Sequence, residues 1–173
     1  MTPVVDNVMV TRDDNGEDGC FSNVTHLETG NKWQGAELEC KNNEPDISSI
    51  PPTVSQNPPT VTYLVQLMPH PHHGSLGAAI GFPGMCYEIM NVHGRTAVLL
   101  HIANYAGQVS QHERTDLLGC MALGTDRGKM TPPGYNSPQE AVEHSGTAVL
   151  AFYKEMGGRP FNMTFKNAFP AAV

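Results

Sequence analysis

His101 and Cys120 are the two residues of this 173-residue chain whose types and setting could support covalent chemistry. His101 lies near the end of the most apolar run in the sequence, Thr-Ala-Val-Leu-Leu-His-Ile-Ala over 96–103. Cys120 follows Gly119, 19 residues after the histidine and beyond a polar loop. Nucleophilic cysteine chemistry needs a thiolate, a base within hydrogen-bond reach, and backbone N–H groups for the developing oxyanion. A strand-end histidine and a Gly-Cys turn supply these if the intervening loop folds back. Such a pair would favour thiolate–imidazolium and lower the thiol pKa. Gly119 would let a substrate approach the backbone closely, and the N–H groups of Cys120 and Met121 would face the oxyanion. Asn104 could orient His101 or donate to the oxyanion, Asp116 could orient a histidine, and Arg95 could bind a substrate carboxylate. The same residues also have plain structural uses: a packed thiol, a core histidine satisfied by a carbonyl, a turn-forming Asn, a solvated loop carboxylate and a surface ion pair.

The run His70-Pro71-His72-His73 offers imidazoles, which suit zinc, copper or nickel. Pro71 spreads the first two, and no carboxylate or cysteine lies near in sequence, so no resident metal and no cofactor is expected. The other cysteines, Cys20, Cys40 and Cys86, are scattered, and no two of the four form a C-x-x-C. Free thiols are the expectation.

Ten basic and 17 acidic residues give a formal charge of −7, which does not suit binding to the phosphates of nucleic acid or of anionic lipid. No run approaches the roughly 20 apolar residues that span a bilayer, and the first residues lack the basic and apolar regions of a secretory signal. Neither export nor insertion into a membrane is expected.

With 17 glycines and 14 prolines, the chain calls for many turns and short elements. The expectation is a single domain over 1–173. Residues 1–60 would form a loop-rich β arm with strands at Val4–Val10, Asn23–Leu27 and Ala36–Cys40. The prolines between Pro51 and Pro59 would cross the surface as a loop. The core would occupy 61–165. Strands are expected at Val61–Met68 and Met85–Val92, with a hairpin turn at His93-Gly94. Thr96–Ala103 would be the central buried strand, and Phe161–Phe165 a half-buried one. Ser137, Pro138 and Glu140 form a capping-box pattern that starts a helix over about 138–156, with Ser145 as an alternative start of a shorter helix. The resulting class is mainly β (α+β), an antiparallel β sandwich or barrel-like domain with one or two C-terminal helices.

The order G-R-x-x-x-L-x-H-x-x-N, a polar loop, then G-C-x-x-L-G and an apolar helix resembles an uncharacterised family of small phage and prophage proteins. Thr25-His26-Leu27-Glu28, Asn42-Asn43 and Ser48-Ser49-Ile50-Pro51 follow the same family, so the likeness runs from about Val8 to Phe165. Its His-to-Gly-Cys core is similar in turn to the L,D-transpeptidase catalytic domain, which forms a thioester with peptidoglycan stem peptides. That second likeness covers about 30 residues. Two departures stand out. Ala103 occupies a place where the family carries Gly, and Leu118 one where transpeptidases carry a histidine, leaving His101 or His112 as the base.

The resemblance implies two functions. One is a phage-encoded, peptidoglycan-active cysteine amidohydrolase or transpeptidase-like enzyme. In it Cys120 attacks a peptide carbonyl while His101 takes its proton and returns it to the leaving amine. The other is a non-catalytic virion or tail protein that retains the fold and packs against other phage structural subunits.

Overall fold

The computed structural model describes residues 6–52 and 60–169. Nine strands and two helices follow one another as β1 (Asp6–Gly16), β2 (Gly19–His26), β3 (Lys32–Glu37), β4 (Thr60–Pro69), α1 (Gly74–Ala78), β5 (Met85–Ile89), β6 (Ala122–Gly124), β7 (Asp126–Met130), β8 (Gln139–Glu143), α2 (Ser145–Met156) and β9 (Phe161–Asn167). Seven strands form one curled, half-barrel sheet in the order β5-β4-β9-β1-β2-β3-β6. Every pairing in it is antiparallel except β1 with β9. β7 and β8 make a separate two-stranded ribbon. The mainly β class with a C-terminal helix is therefore as the sequence suggests.

Period-two alternation decides which side of each strand is buried. Val8 and Val10 on β1, Val24 on β2, Trp33 on β3, and Phe161, Met163 and Phe165 on β9 form one apolar face. α2 lies on that face through Ala148, Val149, Phe152 and Met156. Trp33 meets Phe152 edge-on at 5.1 Å between ring centroids, and Phe152 meets Phe161 at 5.5 Å. Tyr153 donates its hydroxyl to Leu100 O at 2.9 Å and accepts Tyr87 N–H at 2.9 Å, which ties the helix to β5 and to the segment carrying His101. Each large buried side chain of this kind contributes about 1.5–3 kcal/mol.

The same alternation puts Arg12 on the apolar side, and it is fully buried. Its partner is Glu37 at the end of β3, also fully buried. Nε and Nη2 donate to the two Glu37 oxygens at 2.8 Å each. Nη1 donates to Pro52 O at 3.0 Å and Asn167 Oδ1 at 3.1 Å, and Nη2 also donates to Ile50 O. All five guanidinium N–H groups thus have acceptors. Burial opposes the charge, yet the adjacent Glu37 carboxylate overrides it and holds the Arg12 pKa above its ordinary value.

Three expectations need correction. First, Thr96–Ala103 is buried only at Val98–His101 and Ala103 and forms no regular strand; it makes single bridges, Leu99 with Glu88 and Leu100 with Met121. The central strand is β1. Several of the segment's backbone donors go to side chains rather than to a ladder: Ala97 N–H to Glu88 Oε1, Leu99 N–H to Cys120 Sγ, and Ala103 N–H to Ser145 Oγ. Second, the helix does not start at Pro138. Gln139–Glu143 is strand β8, because Gln139 turns inward and bonds both Arg114 N and Arg114 O, while Glu140 N–H donates to Asp18 Oδ2. His144 at φ +52° separates this strand from α2, which begins at Ser145. Third, Met85–Val92 ends as a strand at Ile89, where Asn91 at φ +59° turns the chain.

Residues 6–37 form three strands of the main sheet itself. Val4, Val5 and most of the proline-rich loop lie outside the described residues. Pro69–Gly74 is a turn in part, with β4 extending through Pro69 and α1 starting at Gly74.

Removing one partner of a buried ion pair leaves an uncompensated charge, so Glu37→Gln should lower unfolding free energy by about 3–5 kcal/mol. The double replacement Arg12→Met with Glu37→Leu should recover most of that loss. Urea denaturation of the three variants reads both effects, and a Glu37→Gln loss below about 1 kcal/mol would remove the pair from its central role.

Candidate functional site

The Leu100–Met121 bridge brings the His101 and Cys120 segments side by side. Met121 N–H donates to Leu99 O at 2.9 Å and His101 N–H to Met121 O at 3.2 Å. The two backbones are therefore neighbours although 19 residues separate them. Their side chains have different partners.

Cys120 is part-buried and packs against both apolar clusters of the domain. Its Sγ accepts Leu99 N–H at 3.4 Å and faces Ala97 O at 3.8 Å. Desolvation raises its pKa above the ordinary thiol value, outweighing the Leu99 N–H and the nearby Arg95 charge that lower it. His101 is buried, and its Nδ1 lies 3.1 Å from Ile102 O. A carbonyl only accepts, so Nδ1 carries the proton. The ring stacks on His73 at 4.6 Å between centroids and 18° between planes. His73 stacks on His70 in turn, and His70 touches His72, so four imidazoles form one continuous line. Burial lowers the pKa of both His101 and His73.

The other expected site residues are committed elsewhere. Met121 is fully buried and its N–H is bonded to Leu99 O, so it does not face an oxyanion. Arg95 donates to Ser48 O at 2.9 Å and Ser49 O at 2.5 Å, which aims the guanidinium at the chain's own carbonyls rather than at a substrate carboxylate. The backbone carbonyl of Asn104, not its side-chain amide, accepts Val142 N–H and so fixes β8. Asp116 binds Arg114 Nε at 2.9 Å, although its charge still raises the His101 pKa slightly against the larger effect of burial. Gly119 has φ +90°, and a Cβ there would lie 2.8 Å from Arg95 Nη1, so glycine is required for two reasons.

Leu118, two residues before Cys120, is 71% exposed. With Leu38, Ile47 and Val109 it lines a small depression of about 160 Å³. His112 stands at φ +62° after a single 3-10 turn over Val109–Gln111 and lines a different cavity with Tyr135 and Ser137. An opening of about 720 Å³ lies at the His70–His72 turn against Ser75 and Gly84 and includes neither His101 nor Cys120. All four cysteines are free thiols, with Cys20, Cys40 and Cys86 buried.

The loop leading to Cys120 also carries Glu113, which lines an acidic depression with Asp14, Glu17, Asp18 and Glu140. Burial, a hydrogen bond with Asp18 and the surrounding carboxylates push the Glu113 pKa up to about 7.

No known family model, curated protein or solved structure matches the chain. No helix among the described residues is long and apolar enough to cross a membrane.

Because the folded-state pKa of Glu113 is raised, its protonated form stabilises the loop below the ordinary value of 4.5, and this contribution is lost as pH rises through about 7. Glu113→Gln should flatten the fall in melting temperature across that window. An unchanged slope would remove the shared-proton contact with Asp18.

Proposed function

We propose that this chain is a phage-encoded β domain that keeps an L,D-transpeptidase-like scaffold and serves as a non-catalytic virion or tail subunit. One observation carries the reading: the His101 ring is engaged by His73 and Ile102 O while the Cys120 thiol is held by backbone groups of 97–99. A thiol whose pKa is raised and whose base is turned away is a weak nucleophile at neutral pH. The exposed apolar side chains Ile47, Val109 and Leu118 support a contact with a neighbouring subunit at this loop. Solitary exposed apolar residues are ordinary, whereas these three line one depression, which makes it the contact point this reading names.

A second reading rests on the Leu100–Met121 bridge, which sets His101 and Cys120 on adjacent segments. In that reading the imidazole swings from His73 toward Sγ, and Cys120 forms a thioester with a peptidoglycan stem peptide. Nucleic acid is a poor partner for either reading, given the charge of −7.

The two readings separate by thiol labelling against pH. Cys20, Cys40 and Cys86 are buried, so the native protein reports Cys120. The structural reading expects a rate that rises with pH through and beyond the ordinary thiol pKa of about 8.5. It also expects Cys120→Ala to enter particles normally and Leu118→Asp to be excluded. A labelling plateau near pH 7 together with muropeptide release abolished by Cys120→Ala would establish the enzyme instead.

A further inference from the structure

The far end of the buried sheet face from the Arg12 pair holds a second polar cluster, centred on His26. This residue is 2% exposed and closes β2 opposite Val8. Its Nδ1 faces Glu155 Oε1 on α2, and Thr29 Oγ1 lies 2.9 Å from the same nitrogen. A carboxylate only accepts, so Nδ1 is the protonated nitrogen. Nε2 on the other side is buried and makes no hydrogen bond. It nevertheless stands 3.1 Å from Glu28 Oε2 and 3.8 Å from Asp6 Oδ1. A neutral imidazole would set its Nε2 lone pair beside two carboxylates, which is unfavourable with nothing between them.

We infer that Asp6 Oδ1, His26 Nε2 and Glu28 Oε2 form a binding site for a zinc-class divalent cation, with Glu155 as the positioning carboxylate behind the histidine. The three ligand atoms lie within 4.8 Å of one another. Two atoms each about 2.1 Å from a tetrahedral ion are about 3.4 Å apart, so spans of 3.1 and 3.8 Å fit around one ion. A ligand oxygen then lies to the side of the ring's lone-pair axis, consistent with the close Glu28 approach that makes no hydrogen bond. The ligands are also held from behind. Arg159 binds Asp6 Oδ2 at 2.6 and 2.9 Å, and Asn7 donates its backbone and side-chain N–H groups to Glu28 at 2.9 Å each. Asn31 and Thr29 fix Glu155, which in turn fixes the His26 tautomer. A carboxylate–histidine–metal relay of this kind is a common way to hold a metal ligand. Charge points the same way: the carboxylates of Asp6, Glu28 and Glu155 gather around His26, with Arg159 pairing with Asp6 alone. The ion would join β1, β2 and α2, and its remaining positions face the exposed Glu28 side.

Calorimetric titration of zinc chloride into the chelator-stripped full-length chain at pH 7 tests this. One saturable site is expected. Glu28→Gln, at an exposed position that should not disturb folding, should weaken it at least tenfold, and His26→Gln should abolish it. Glu155→Gln should weaken it about 10- to 100-fold while leaving the stoichiometry at one. Zinc should also shift the His26 Nε2 resonance in the nitrogen NMR spectrum. Absence of saturable binding, or an Nε2 signal that stays that of an imidazolium in excess zinc, overturns the site. So does binding that is unaffected by Glu28→Gln but lost in a His70→Ala, His72→Ala, His73→Ala triple variant.

Discussion

A buried guanidinium with all five donors satisfied is the constraint on which the cysteine region depends. Arg12 and Glu37 neutralise each other on the inner side of the sheet, but their hydrogen bonds extend beyond the pair. Glu37 Oε1 also accepts Ile50 N–H at 3.0 Å, and Arg12 holds Ile50 O and Pro52 O. The 48–52 segment is thereby pinned across the mouth of the sheet. Its carbonyls at Ser48 and Ser49 are the acceptors for Arg95, and Arg95 lies against Gly119. An ion pair in the middle of the sheet thus sets, through two further hydrogen-bonded links, where the turn before Cys120 stands. Dehydrating two charges is costly unless every polar atom around them is matched. The matched set explains why so irregular a segment is so buried.

Much of this fold is legible in the chain. A β-branched, apolar run announces β4 and alternating apolar residues announce β9, and α2 stops at Met156, the expected end of the helix, with Gly157 at φ +59°. Failures occur where side chains replace backbone partners. Thr96–Ala103 reads as a strand because it is apolar and β-branched. Its neighbours are Glu88, Cys120 and Ser145 side chains rather than a second ladder. Ser137 and Glu140 read as a capping box. Tertiary bonds at Gln139 and Glu140 outweigh a local cap worth about 1 kcal/mol. Arg12 and His26 carry a signal that alternation could have supplied. Arg12 shares the parity of Val8 and Val10, and His26 that of Val24, so both point inward with the apolar residues. The identities of their distant partners, Glu37 and Glu155, depend on long-range register that spacing does not encode.

The candidate site shows the same division between proximity and function. The sequence order His101…Gly119-Cys120 does become spatial adjacency, through one parallel bridge. Adjacency of backbones does not orient side chains. His73 arrives from the turn after β4, a contact the linear spacing of His101 and Cys120 says nothing about, and it takes the face of the His101 ring.

For thiol chemistry to run here, Arg95 would have to serve as well as stand by. A guanidinium released from Ser48 O and Ser49 O could pair with a thiolate or a substrate carboxylate. Releasing it would leave two carbonyls without their donor in the segment that Arg12 and Glu37 hold, at a cost of roughly 1–3 kcal/mol for each buried acceptor left unmatched. Arg95 is already a half-buried cation whose buried Nε has no hydrogen-bond partner. Burial lowers its pKa, so its charge is held at some expense in the present arrangement. The arrangement that positions the cysteine loop is therefore the one that keeps its nearest cation occupied, and the structural use of Arg95 competes directly with any catalytic one.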